Sequence, residues 1–163
     1  MSADAIEHNA YLETLLLYFE EEIMGEAYFC GLAERFDGPG EQEKLILLAE
    51  VERHAAEAVR PLIEKHGLKP RPDDELKGLE AGGIERHGAW SWRELIAYMV
   101  ERYPLYMDDF EGLENIAPEE DLPLLQFLTA HETAAIEFAN REHAGRTDST
   151  APLRDYLAAQ PPK

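Results

Sequence analysis

Three glutamates stand where helical spacing would place an apolar side chain. Glu26 follows Phe19 by seven residues, Glu52 follows Leu45 by seven, and Glu132 follows Leu125 by seven. Seven residues are nearly two helical turns, so each carboxylate falls on the apolar face of its segment. Ionised carboxylates cannot share a dry interior, because burial disfavours the charge and each like neighbour adds to the penalty. A bound cation, retained protons, a partner such as Arg or a tyrosine hydroxyl, or water can each relieve it. If a cation does so, carboxylate and water ligands suit hard ions such as Mn²⁺ or Fe. The metal-free alternative is a hydrogen-bonded network drawing on Tyr103, Tyr28 or Arg102.

Several neighbours bear on this cluster. Glu22 flanks the first stripe and is the reserve ligand. His131 lies on the flank of the fourth stripe and reaches the interior only if that stripe is rotated. His54 is about 200° round the helix from Glu52, on the opposite face with Glu50. Cys30 reads as a small core residue. The sequence holds no Gly-rich phosphate loop, no Gly-x-Ser-x-Gly and no Cys-x-x-Cys, so no catalytic residue is assigned.

The elements that must position the glutamates are helices. The chain holds 21 Ala, 21 Leu and 25 Glu, all strong helix formers, against 16 Val, Ile and Thr, too few for a sheet protein. Residues 1–163 read as one domain with helices at about 5–36, 41–66, 92–114 and 118–144. The first opens at Asp4 with Glu7 at N3 and ends at the Asp37-Gly38-Pro39-Gly40 breaker. The third opens on the capping box Ser91-Trp92-Arg93-Glu94 and carries Pro104, which removes a hydrogen bond and bends it. Residues 67–90 hold Pro70, Pro72 and five glycines without sustained periodicity, and form a connector long enough to travel the length of a helix. The tail, 146–163, offers Leu153, Tyr156 and Leu157 to pack back on the helices.

Two short turns and one long second connection describe two antiparallel hairpins joined by a crossover, a four-helix bundle. In that arrangement the glutamates share a level. Glu26 and Glu52 lie roughly 12.5 and 13.5 residues from the middle of the first turn, a height difference of about 1.5 Å. Glu132 is 13 residues before Gly145, at the same end. The inward residue of the third helix at that level is Tyr103 (or Met99).

At this point the chain resembles the ferritin-like superfamily of di-iron carboxylate proteins, over roughly residues 5–145. The family pattern is one Glu on each of the first and third helices and Glu-x-x-His on the second and fourth. Glu26 matches the first-helix Glu, and Glu52 and Glu132 match the Glu of each Glu-x-x-His. Three positions depart: Ala55 and Ala135 stand where the histidines belong, and Tyr103 stands at the third-helix Glu. The resemblance implies Fe or Mn at Glu26, Glu52 and Glu132, redox chemistry, and a homodimer through the first two helices. The departures point instead to a binding or structural module that retains a buried carboxylate cluster, with metal-dependent oxidoreductase as the alternative. A third reading places a small-molecule pocket beside Pro104, lined by Met99, Tyr103, Tyr106 and Phe110.

Charge narrows the partners. A net charge of −19 disfavours nucleic acid and anionic membrane surfaces, which both need clustered cations. No apolar run approaches a membrane span. One cysteine and an N-terminus without a basic leader are what a cytoplasmic protein would carry.

Overall fold

The computed structural model describes residues 2–163, and they are all-helical, with no strand among them. Helix α1 spans Ala3–Ala33 and α2 Glu41–Lys65. Two short helices, α3 (Asp73–Gly78) and α4 (Ala81–His87), occupy the long connector. Then come α5 (Trp92–Arg102), α6 (Met107–Ile116), α7 (Leu122–His143) and α8 (Ala151–Ala158).

The local signals explain most boundaries. The capping box at Ser91 and Glu94 forms in full. Gly40 and Gly67 take left-handed backbone, with φ of 75° and 63°, where α2 begins and ends. Pro104 does more than bend the third helix. It forces a 3₁₀ turn over Tyr103–Tyr106 that separates α5 from α6. Two starts differ from expectation. Ser2, two residues before Asp4, caps α1 through Oγ, which accepts the Ala5 N–H at 3.2 Å. A 3₁₀ turn over Glu119–Asp121 precedes α7, so the fourth helix starts at Leu122 instead of Pro118.

Residue pairs fix the directions of the helices. Gln42 donates to the Ala33 carbonyl at 3.1 Å, while at the far end the His66 and Tyr11 rings lie 5.8 Å apart, so α1 and α2 are antiparallel. Lys44 pairs with Glu142 at 2.8 Å and Lys65 with Asp121 at 2.5 Å, so α2 and α7 are antiparallel too. Trp92 donates to Glu142 at 3.1 Å and Thr129 to Glu114 at 2.6 Å, which sets α5–α6 antiparallel to α7. Hence α1 runs with α7, and α2 runs with α5–α6. The connector therefore returns along the molecule, with α3 and α4 packed on α1. Buried Glu20 anchors it, accepting from the Arg71 backbone N–H at 2.7 Å and from its guanidinium at 3.2 Å.

The core lies between these segments. Leu15, Phe19 and Ile23 of α1 meet Leu48, Ala55 and Val59 of α2, Leu95 and Met99 of α5, and Leu125, Leu128 and Phe138 of α7. Burying each large side chain contributes about 1.5–3 kcal/mol. The tail packs as expected through buried Leu153 and Tyr156. Cys30 does not: it is exposed. Phe29, buried beside it, takes the core position, because the face that α1 buries is turned from the one the Leu12–Leu16 spacing suggests.

Candidate functional site

The turned face of α1 runs Leu15, Glu22, Phe29, three residues at seven-residue spacing and all buried. On α7, Leu128, His131, Ala135 and Phe138 share a face and are buried as well. On α2, Glu52 stands between Leu48 and Ala55. These three faces converge, and they bring together Glu22, Glu52 and His131. One donor atom from each lies within 4.8 Å of the other two.

His131 is the hub. Its Nε2 is 2.9 Å from Glu22 Oε2, 3.5 Å from Glu52 Oε2 and 3.9 Å from Glu132 Oε2. The His131 side chain is 1% exposed, Glu22 4%, Glu132 8% and Glu52 13%. Nδ1 of His131 is engaged with the Leu128 carbonyl one turn back. A proton on Nδ1 leaves a lone pair on Nε2, the nitrogen nearest the carboxylates, which is the tautomer a metal ligand requires.

Two buried oxygens have no hydrogen-bond partner, Glu22 Oε2 and Glu132 Oε1. His131 stands beside Glu22 Oε2 as an ion-pair contact at 2.9 Å. Two unpartnered acceptors in one buried cluster are a local deficit of positive charge or donors.

Titration follows from the same geometry. Burial, with the Glu52 charge beside it, holds the Glu22 carboxyl well above the ordinary carboxylate range. Burial also pushes Glu132 up to about 7, against the lowering pull of His131. Burial works against the Glu52 carboxylate as well, yet the hydrogen bond to Glu22 and the His131 charge keep its carboxyl below the usual value. For His131, burial favours the neutral ring, but the Glu22 and Glu52 carboxylates raise its pKa well above normal. These shifts run toward a proton kept on Glu22 and opposite charges on Glu52 and His131.

Of the three glutamates singled out by spacing, Glu52 is in the cluster and Glu132 adjoins it. Glu26 is elsewhere, clamped by Arg53 through two charge-assisted hydrogen bonds of 2.6 and 2.7 Å. Tyr103 is half-buried and lines the same cavity as the cluster, and burial drives its hydroxyl pKa well up. Gly25 allows the close approach of α1 and α2. A Cβ there would lie 2.9 Å from both Cδ and Oε2 of Glu52.

A cavity of about 410 Å³ rises from the cluster, with Glu22, Glu52, His131 and Glu132 among its lining residues. Tyr103, Tyr106 and Phe110 line it as the sequence suggests, while Met99 is packed in the core away from it. Exposed Glu21, Arg86 and Asp109 also line it, so it reaches the surface. At the other end of the helices is a separate polar cluster. Buried Asp121 accepts from Tyr11 at 2.8 Å and Lys65 at 2.5 Å and meets His66 at 2.6 Å.

Compared with known proteins, the chain matches no family model, no curated protein and no solved structure. Among the described residues, no helix is long and apolar enough to cross a membrane.

Proposed function

We propose that this protein is a ferritin-like four-helix bundle that binds one divalent metal ion through Glu22, Glu52 and His131, with Glu132 beside them as a further carboxylate. The helix directions support the bundle: two antiparallel hairpins, α1–α2 and α5–α6 with α7, joined by a lengthwise crossover. The observation that carries the metal reading is the convergence of three donors from three helices around an unpartnered buried oxygen. Ligands held at about 2.0–2.2 Å from one ion lie about 3–4 Å apart, close to the spacings around His131. One imidazole with carboxylates suits Mn²⁺, Fe²⁺ or Zn²⁺.

The residues fit one ion better than the two of the di-iron pattern. Ala55 and Ala135 are buried at the positions where that pattern places its histidines, and Tyr103 stands at its third-helix Glu. A bound Fe or Mn would supply one-electron chemistry at the floor of the cavity; the chain's own contribution is to hold the ion and exclude bulk water from three sides.

Equilibrium loading with Mn²⁺, Fe²⁺ and Zn²⁺, followed by metal analysis, tests the reading. About one ion per chain, lost on Glu22→Gln together with His131→Gln, is the expected result. Less than a tenth of an equivalent after anaerobic loading with all three would sink it. The second reading is a binding or structural module whose buried cluster needs no metal. Its support is that Glu22, Glu52 and His131 can balance their charges with one retained proton.

A further inference from the structure

The walls of the cavity point to a ligand class. Five tyrosines line it, Tyr18, Tyr28, Tyr98, Tyr103 and Tyr106. They do not form one stacked block: Tyr18 packs edge-on against Phe110 at 5.5 Å, and Tyr103 and Tyr106 sit 6.1 Å apart and tilted. Tyrosines from three different segments therefore surround the space. The charged lining is one-sided. Glu22, Glu52 and Glu132 are at the floor with His131, and Glu21, Glu80 and Asp109 also line the space, against Arg86 as the single Lys or Arg among the described lining residues and His87 as the other histidine. A divalent ion at the floor offsets only part of this excess, so the space stays negative when loaded. Glu132 Oε1, buried and unpartnered, leaves an acceptor in the same lining.

Aromatic faces and carboxylates together attract cations, through the ring quadrupole and through direct charge. The volume is in the range of pockets that enclose small organic ligands. We propose that the cavity binds a small organic amine in its protonated form, with its apolar or aromatic body between the tyrosines. This names an organic guest for the cavity above the metal site proposed above and rests on that reading for the state of the floor. The walls carry the argument for charge and shape.

The test is calorimetric titration of Mn²⁺-loaded protein with three probes of one shape: 2-phenylethylamine, 2-phenylethanol and phenylacetate. The amine should bind at least about tenfold tighter than the alcohol, the equivalent of a partly desolvated cation–π and charge contact. Phenylacetate should be the weakest. Glu80→Gln with Asp109→Asn, neither of them in the Glu22, Glu52 and His131 group, should reduce amine affinity severalfold and leave Mn²⁺ occupancy, read by electron paramagnetic resonance, unchanged. Equal binding of amine and alcohol, tighter binding of phenylacetate, or no binding of any probe would overturn the proposal. If Mn²⁺ does not bind at all, the metal reading alone fails. The same three probes, titrated into metal-free protein, then decide the amine proposal by the same ranking.

Discussion

His131 Nε2 lies 2.9 Å from Glu22 Oε2, and the two residues belong to α1 and α7, helices that run in the same direction. The two helices face each other across the core, α1 packing on α2 and α6 and α7 on α2, α5 and α6, and parallel helices keep a constant offset along their length. Tyr11 meets Asp121 near the start of the pair, and Glu22 meets His131 three turns later. The separation in sequence is 110 residues at the first contact and 109 at the second. The candidate metal site and the Asp121 cluster are thus two polar crossings of the same helix pair, separated by the apolar layers of Leu15 and Phe19.

Metal binding should stabilise the fold measurably. A ligand at one hundred times its dissociation constant adds about 2.7 kcal/mol. For a chain of this size that is a rise in Tm of about 5–10 °C. Calorimetry with and without Mn²⁺ or Zn²⁺ checks it, with Glu22→Gln expected to abolish the shift.

The sequence made the helices and the long connector legible. It did not settle which face of α1 turns inward. Leu12, Leu15, Leu16 and Leu17 spread leucines over about 200° of the helix, so spacing alone leaves the choice between Glu22 and Glu26 open. Burying Tyr11 and Phe29 decides it, because large aromatic side chains remove more apolar area from water than Leu12 and Cys30 would. Tyr11, Leu15, Glu22 and Phe29 was the pattern that could have found Glu22. Likewise Leu128, His131, Ala135 and Phe138 place His131 inward once Phe138 outweighs Ile136. The pairing of Glu26 with Arg53 had no such signal, since it depends on how α1 and α2 are aligned.

Gly25→Ala separates stability from metal binding. Alanine gains about 0.8–1 kcal/mol of helix propensity over glycine. Its Cβ, however, would press on the Glu52 carboxylate at 2.9 Å, the flexible end of a side chain that can move aside. The variant should melt no lower than the parent without metal and bind Mn²⁺ about ten- to one-hundredfold more weakly, the usual range for disturbing the support of a ligand. Unchanged Mn²⁺ affinity would remove Glu52 from the site.

Glu132→Gln should leave the metal-free protein at least as stable as the parent. At its raised pKa of about 7, Glu132 draws little benefit from its charge, and a neutral group of the same shape avoids desolvating one. Chemical denaturation at neutral pH in a chelator measures this. A loss above about 2 kcal/mol would mean that the carboxylate is needed structurally.

The Asp121 cluster gives a pH dependence of its own, apart from the candidate metal site. Burial opposes the Asp121 carboxylate, but hydrogen bonds from Lys65, His66 and Tyr11 win and hold its carboxyl below the ordinary 3.8. A depressed acid stabilises the fold fully above the unfolded-state pKa and loses that contribution as pH falls through the folded value. The loss therefore belongs below about pH 4. Asp121→Asn should cost about 2–3 kcal/mol at neutral pH, moderated by the exposure of Lys65. It should also flatten the fall in Tm between pH 4 and pH 2 relative to the parent.

Glu26→Gln is the counterpart of Glu22→Gln and the sharpest test of which face of α1 matters. The two glutamates are one turn apart on one helix, with the same chemistry and the same neutral replacement. Glu26 is held by Arg53, with side chains 17% and 29% exposed, so its neutralisation should cost about 1 kcal/mol and leave Mn²⁺ stoichiometry untouched. Glu22 has no compensating arginine and carries an unpartnered oxygen, so its neutralisation should cost little stability without metal and abolish binding. Metal titrations of the two variants side by side would show the difference. The reverse result, with binding lost at Glu26 and kept at Glu22, would return the site to the face first suggested by the seven-residue spacing from Phe19.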